Sequence, residues 1–312
     1  MSFAINGRKV YVAGHRGMVG AALVRRLEQE NCELLVVGRG TLDLRDRNAV
    51  SAWMTRERPD VVILAAAKVG GVFANATRPV EFILDNLLIE TSVMEAAYRS
   101  DVAKLLFLGS SCIYPRLAAQ PIPEKALLTG PLEPTNEPYA IAKIAGLKLA
   151  QAYRREYGRD FISAMPTNLF GPGDNYDPDS SHVLPALIRK VAEAKAGGRP
   201  VVVWGSGMPR RECLYVDDCA NACVHLLKHY SDELPLNVGT GEDLSILELT
   251  RLVMRVIGYD ATIEHDLSKP DGTPRKLLDV SRLATLGWTA QASLEDGIAA
   301  AYSDWRSGGG RG

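Results

Sequence analysis

Tyr139 and Lys143 stand four residues apart in YAIAK, a spacing that puts both side chains on one face of a helix. A free phenol ionises near pH 10, too high for easy proton exchange at neutrality, and a lysine ammonium beside it favours the phenolate. The same ammonium could hold the ribose of a nicotinamide. Ser110 lies upstream, where an apolar run (KLLFLG) ends. A hydroxyl, a phenol and an ammonium gathered around a carbonyl form a set suited to hydride transfer. In open α/β sheets ligands sit at the carboxyl ends of the strands, where Ser110 is expected.

A second signal precedes these residues. Gly14, Gly17 and Gly20 (GHRGMVG) fall where an opening strand meets an amphipathic helix. Glycines there permit a tight turn, close approach of the backbone to a pyrophosphate, and close helix–sheet packing, while the helix amides meet the anion. An acid at the end of the second strand would favour NAD. The sequence has VVGRG there instead, with Arg39 and no acid before Asp43, and Arg16 lies inside the glycine turn. Two cations near the adenosine ribose suit a 2′-phosphate, so NADP(H) is expected over NAD(H), the alternative being two solvated arginines.

The elements that must position these groups alternate. Lys9–Ala13, Leu34–Val37, Asp60–Ala66, Lys104–Gly109 and Phe161–Met165 read as strands, and Met18–Glu30, Pro79–Arg99 and Pro138–Tyr157 as helices. DVVILAA is apolar on both faces, as a strand in a helix-covered sheet must be. The pattern predicts an α/β fold: a doubly wound parallel sheet with a smaller, mostly C-terminal α/β substrate domain. The texture changes after Phe170, where GPGDNYDPDSSH reads as a loop and domain exit. Residues 1–170 are expected to bind the dinucleotide, with a returning segment at about 215–250, and 171–214 with 251–312 to bind substrate. Beyond the exit, His182–Ala196 and Asp217–His229 read as helices and Val201–Val203 and Pro235–Val238 as short strands. SKPDGTPRK reads as a second loop, followed by two short helices and a frayed glycine-rich tail from Ser307 to Gly312.

Composition narrows the function classes. The 312 residues carry 36 Lys+Arg against 37 Asp+Glu, a net charge of −1, which argues against a nucleic-acid binder driven by phosphate neutralisation. No uncharged apolar run approaches 18 residues, so no membrane span is expected. The start, MSFAINGRKVYVAG, reads as a first strand and not as a signal peptide. Five cysteines in a chain of this length fit a reducing cytoplasm better than a disulfide framework. Cys219, Cys223 and His225 have the apolar spacing of a buried helix face (CANACVHLL), so no metal site is expected.

With GHRGMVG, LAAAK (64–68), LGSSCIYP (108–115), YAIAK (139–143), PTNLFGPGDN (166–175), RECLYVDD (211–218) and KPDGTPRKLLDV (269–280) in this order, the chain resembles the extended short-chain dehydrogenase/reductase family over nearly its whole length. PTNLFGPGDN and RECLYVDD are similar to the family's nucleotide-sugar signatures. The resemblance implies dinucleotide contacts from Gly14, Arg16, Gly17, Met18, Val19, Gly20 and Arg39. Further contacts follow from Leu108, Gly109, Ser110, Ser111, Tyr139, Lys143, Pro166, Thr167, Asn168, Leu169 and His182.

Within LGSSCIYP the residues after Ser110 separate the family's chemistries. Sugar-nucleotide dehydratases carry an Asp–Glu pair where this chain has Ser111 and Cys112. A ketone at C4 acidifies the protons on C3 and C5, and inverting those carbons needs a base on one face and an acid on the other. The resemblance implies Cys112 as that base and His182 (SSHVLP) as the acid, working through enediolate intermediates. Their alternatives are a buried small hydrophobe and a helix-start residue. The implied reaction is NADPH-dependent 3,5-epimerisation and 4-reduction of GDP-4-keto-6-deoxy-D-mannose to GDP-L-fucose, with another GDP-deoxy sugar such as GDP-colitose as the alternative. Asn168, Trp204, Arg211 and Asp271 stand where the family contacts its GDP-sugar, against alternatives in packing, surface ion pairing and loop bonding. Where the family pattern has two consecutive arginines after the catalytic histidine, this chain has Arg189 and Lys190. Lys190 keeps the charge but loses the bidentate fork. The resemblance also implies a homodimer joined by Pro79–Arg99 and Pro138–Tyr157 of each subunit.

Overall fold

The strand Lys9–Ala13 (β1) buries Val10, Tyr11, Val12 and Ala13, and a strand with no exposed face belongs in the middle of a covered parallel sheet. The computed structural model describes residues 3–310 apart from Asp179 and Pro270. After β1 come α1 (Met18–Leu27), β2 (Glu33–Leu35), α2 (Arg47–Glu57), β3 (Val61–Leu64), α3 (Val72–Thr77), α4 (Pro79–Arg99), β4 (Lys104–Leu108), α5 (Glu137–Tyr157) and β5 (Asp160–Pro166). Next are β6 (Asn168–Phe170), α6 (Val183–Gly197), β7 (Val201–Trp204), β8 (Arg210–Arg211), β9 (Cys213–Tyr215), α7 (Val216–His229) and β10 (Leu236–Val238). The chain closes with β11 (Leu244–Ser245), α8 (Ile246–Ile257), β12 (Ile263–Asp266), β13 (Arg275–Lys276), α9 (Ser281–Thr285) and α10 (Leu294–Arg306).

Six strands form one parallel sheet in the order β10-β5-β4-β3-β1-β2. The chain reverses its direction of advance between β1 and β3, which creates the crevice where a dinucleotide lies in such sheets. On one face α1 and α7 pack together, burying Leu23, Leu27, Val224 and Leu227 against Ile63 and Leu106. On the other face α2, α4 and α5 bury Val50, Val93 and Leu147 against Val62 and Leu105. A third core joins Leu187 and Val191 of α6 to Leu249 and Val253 of α8 and Ile298 of α10. The doubly wound sheet with a smaller second layer is therefore the observed architecture.

Several expectations shift. β2 ends at Leu35 and not Val37, because Val36 is 47% exposed at the sheet edge and finds no ladder. α1 stops at Leu27, where hydrogen-bonded turns take over. α2 carries no strong apolar stripe and has no counterpart in the sequence reading. Asp46 starts it, its carboxylate accepting from the amides of Asn48 and Ala49. α8 also lacks a counterpart, although Ser245 and Glu248 form a capping box that the S-x-x-E spacing announces. The return to the first layer is narrower than 215–250: α7 and β10 join the sheet side, whereas the apolar face of α8 packs on α6. Leu283 of α9 and Trp288 return as well. Of the two helices expected to be short, α10 runs thirteen residues. The tail is not frayed as far as Gly310. Ser307 N–H donates to Ser303 O at 3.1 Å and Gly309 N–H to Asp304 O at 2.9 Å, so the glycines close the helix. Arg311 and Gly312 lie outside the described residues.

Candidate active site

The glycine turn joins β1 to α1. Gly14 has a φ of +92°, and a Cβ there would meet the Ala66 backbone at 2.7 Å, so two strand ends converge too closely for a side chain. A Cβ on Gly20 would run into the Gly14 carbonyl. Gly17 N–H donates to Gly14 O at 2.9 Å, and Gly17 precedes α1 without a side-chain cap, so the first amides of α1 have no side-chain acceptor at the cap. The turn is thus shaped for a pyrophosphate. The Arg16 guanidinium lies against the exit of β2, 3.0 Å from where a Cβ of Gly38 would stand. Arg39 is exposed beside it, 3.7 Å from Asp43. The nearest acid is engaged elsewhere: Arg45 binds Asp43 at 2.7 Å and holds its carboxyl down at about 2.

The hydride-transfer set forms where β4 ends. Gly109 follows Leu108, and a Cβ there would overlap the Met165 side chain. Ser110 caps a short 3-10 turn, Ser111–Ile113, its hydroxyl accepting from Cys112 N–H at 3.4 Å. Tyr139 and Lys143 come from the first turns of α5. Lys143 is 2% exposed, and its Nζ donates to Leu108 O at 3.0 Å and lies 3.0 Å from Glu90 Oε1. Burial raises the Tyr139 phenol well above its usual range, the Cys112 and Glu90 charges push it further, and the Ser110 hydroxyl opposes them. The Ser110 hydroxyl and the Tyr139 phenol thus lie together, with the Lys143 ammonium 6.0 Å from the phenol ring centre. Pro166, Thr167, Asn168 and Leu169 carry the chain from β5 into β6. Thr167 N–H donates to Val238 O at 3.0 Å, and Asn168 Nδ2 donates to Glu212 O at 2.8 Å, leaving its carbonyl oxygen as the remaining polar atom.

Cys112 is buried and shares a cavity lining with Ser111, Arg116, Glu133, Thr273 and Lys276. Burial raises its thiol, while Lys276, the Ser110 hydroxyl and Lys143 pull it back. His182 stands at the N-terminus of α6 and is exposed. Desolvation lowers its imidazole, and Lys276 lowers it further. One ammonium thus acts on both thiol and imidazole. The sequence reading missed Lys276. Its two-residue strand β13 has no periodicity to mark it, and only its place in KPDGTPRK hints at a role.

The sugar-nucleotide candidates line an adjoining surface. Trp204 is 54% exposed at the end of β7, with Lys190 Nζ 4.2 Å and Lys269 Nζ 5.3 Å from its ring centre. Arg189 is turned away, bonded to Glu193 at 2.7 Å and to Tyr176 O at 2.9 Å. Arg211 donates to Thr273 O at 2.6 Å and pairs across the ladder with Lys276. Two partly buried cations on neighbouring strands repel, and an anion between them would relieve that cost. Both oxygens of Asp271 are bonded to Ser206, to its amide at 2.9 Å and its hydroxyl at 2.7 Å, the loop-bonding alternative. Cys219 and Cys223 are fully buried in the core between α7 and the sheet, and His225 bonds Leu286 O at 2.9 Å. No helix among the described residues is long and apolar enough to cross a membrane.

A glycine turn at a parallel-sheet crevice, with a Ser–Tyr–Lys set at the end of the neighbouring strands, defines a Rossmann-type oxidoreductase scaffold. The profile of the NAD dependent epimerase/dehydratase family matches residues 10–239, and the chain belongs to that family. It is 56% identical to a GDP-L-fucose synthase of Sinorhizobium fredii, covering 98% of both chains. It is 36% identical to a GDP-L-colitose synthase of Yersinia pseudotuberculosis, covering 93% of this chain and 95% of that one. Its fold matches the crystal structure of a GDP-L-fucose synthetase from Naegleria fowleri bound to NADP, with a TM-score of 0.90 and 30% identity over 98% of this chain and 95% of that one.

Proposed function

We propose that the chain is an NADP(H)-dependent epimerase–reductase converting GDP-4-keto-6-deoxy-D-mannose to GDP-L-fucose. The observation that carries this reading is Cys112 and His182 under one common cation, Lys276, beside the Ser110–Tyr139–Lys143 set. A plain ketoreductase has no use for the thiol and imidazole. The greater identity to a fucose synthase than to a colitose synthase favours the 6-deoxyhexose over its 3-deoxy relative.

The residues present fit the cofactor: the glycine turn leaves room for a pyrophosphate, and Arg16 and Arg39 flank the β2 exit where a 2′-phosphate would lie. Bound NADPH supplies the hydride for C4. Gly14, Gly17, Met18, Val19 and Gly20 orient the cofactor, with Leu108, Gly109, Ser111 and Pro166–Leu169 closing the nicotinamide end. Cys112 withdraws the proton from C3 and C5 in turn, and His182 returns one from the other face. Tyr139 then gives its proton to the C4 oxygen, Ser110 donates a hydrogen bond to it, and Lys143 supplies positive charge. Arg211 binds the diphosphate beside Lys276. Lys190 contributes charge near Trp204, which offers a flat face to the base or sugar, Asn168 supplies a polar contact, and Asp271 shapes the adjoining loop through Ser206. We also infer a homodimer joined by α4 and α5: Val80, Leu84 and Leu88 make an exposed apolar row on α4, and Ile141 and Tyr157 are exposed on α5. Buried thiols at Cys112, Cys213, Cys219 and Cys223 support a reducing, cytoplasmic setting.

The test is anaerobic incubation with GDP-4-keto-6-deoxy-D-mannose and NADPH, following absorbance loss and product stereochemistry by NMR. The expected product is GDP-L-fucose with solvent hydrogen at C3 and C5. A product reduced at C4 with its C3 and C5 configuration retained would reduce the assignment to a ketoreductase, and faster turnover of the 3-deoxy keto-sugar would move it to the colitose reaction.

A further inference from the structure

Midway along α4, Glu90 is 1% exposed and faces Lys143, itself 2% exposed, at 3.0 Å. Among the described residues, nothing else hydrogen-bonds its carboxylate oxygens. Burial pushes this carboxyl up, and the ammonium pulls it back. Helix α5 makes room for it: a Cβ on Gly146 would meet Glu90 Oε2 at 2.5 Å and Phe107 Cζ at 2.6 Å. A buried ion pair is weak evidence for stability, because well-packed apolar residues of similar volume often do as well. A slot opened in one helix to admit a carboxylate from another therefore asks for a chemical reason.

The groups facing Glu90 are few. Helix α5 presents Lys143 and, beyond it, Tyr139, and β4 presents the Leu108 carbonyl to Lys143 and the Phe107 ring 4.8 Å from its Nζ. The Cys112 thiol faces Tyr139 from the short turn after β4. On α4 itself Asn86 is turned to the Lys68 backbone, accepting at 2.9 Å and donating at 3.0 Å. Among the described residues Glu90 is thus the one carboxylate paired with the Lys143 ammonium, and its field reaches the phenol.

We propose that Glu90 is a positioning residue for the Ser110–Tyr139–Lys143 set, holding Lys143 between Leu108 and Tyr139 and offsetting its charge so that Tyr139 stays a phenol. The inference rests on the reductive reading above. A reductase needs Tyr139 to arrive with its proton, whereas an unopposed ammonium would favour the phenolate.

Glu90→Gln keeps the shape and removes the charge. The expected result is an alkaline limb of kcat/KM for 4-reduction displaced by about one unit to lower pH, with KM for the GDP-sugar unchanged. Glu90→Asp retains the charge on a shorter arm and is expected to keep the limb while lowering kcat. A uniform loss at every pH in Glu90→Gln, or an equal displacement in Glu90→Asp, would overturn the proposal. Should Glu90→Gln fail to fold, Gly146→Ala forces the carboxylate off Lys143 and must move the limb the same way; an unmoved limb is equally fatal. The phenolate absorbance of Tyr139, titrated as the difference from Tyr139→Phe, needs no substrate and must appear at lower pH in Glu90→Gln. An inactive wild type would count against the reductive reading, whereas an active wild type with an unmoved titration would defeat only the role of Glu90.

Discussion

Cys112 sits where two forces oppose each other. Burial favours the neutral thiol, and Lys276, Ser110 and Lys143 favour the thiolate, with burial the larger. The sign follows directly: the reactive form grows as pH rises, and its midpoint lies above the ordinary thiol value of about 8.5. Alkylation of the free protein by iodoacetamide, read on the Cys112 peptide by mass spectrometry, is expected to accelerate through and beyond that pH. Lys276→Met removes the strongest opposing charge and should move the midpoint higher still; a midpoint moved down would show that Lys276 does not act on this thiol. In the proposed reaction Cys112→Ser should abolish solvent exchange at C3 and C5 by at least about a hundredfold, the low end of general-base contributions. Tyr139→Phe should cripple reduction while exchange survives, and deuterium incorporation by NMR separates the two steps. The family resemblance implied Cys112 as a base, but nothing in the sequence pointed to Lys276 beside it. Lys276 lies 164 positions downstream of Cys112, and its segment is held near it by pairing of β13 with β8 and by hydrogen bonds to Gln120 and Ile122.

Among the elements, the turn between β1 and α1 is the most constrained. Gly14→Ala places a Cβ against Ala66 in left-handed backbone, a strain of about 1–2 kcal/mol. Shifting the turn to relieve that strain should weaken NADPH binding by roughly tenfold in a fluorescence titration, since about 1.4 kcal/mol is a factor of ten. Unchanged affinity would mean that the turn does not cradle the cofactor. At the other end of the chain, Ser245→Ala removes one half of a reciprocal cap on α8 and should cost about 1 kcal/mol in chemical denaturation without altering NADPH affinity. The glycine turn and α2 mark the limits of pattern reading. A glycine turn between a strand and a helix has a local signature. α2 has little apolar contrast and is held by Asp46 and by packing on α4, so periodicity passes over it.

At the scale of the whole molecule, α4 leaves an apolar row uncovered. Val80, Leu84 and Leu88 recur every four residues along α4, and Leu84 is 49% exposed. If two copies meet through α4 and α5, Leu84→Glu should convert a dimer to a monomer in light scattering at micromolar concentration, while the circular dichroism stays native. A wild type that is monomeric in the same measurement would remove the dimer from the account. Residue order alone determined the parallel sheet, its covering helices other than α2, the glycine turn and the Tyr139–Lys143 pair, because each depends on spacing within a single element. Tertiary structure decided the rest. It set Lys276 beside Cys112, gave Glu90 its slot against Gly146, bonded Asp271 to Ser206, and brought α9 and Trp288 back to the first core. Periodicity records what a helix or strand presents to its own neighbours, but contacts between charges on separate strands and helices exist only once sheet order and packing have brought them together.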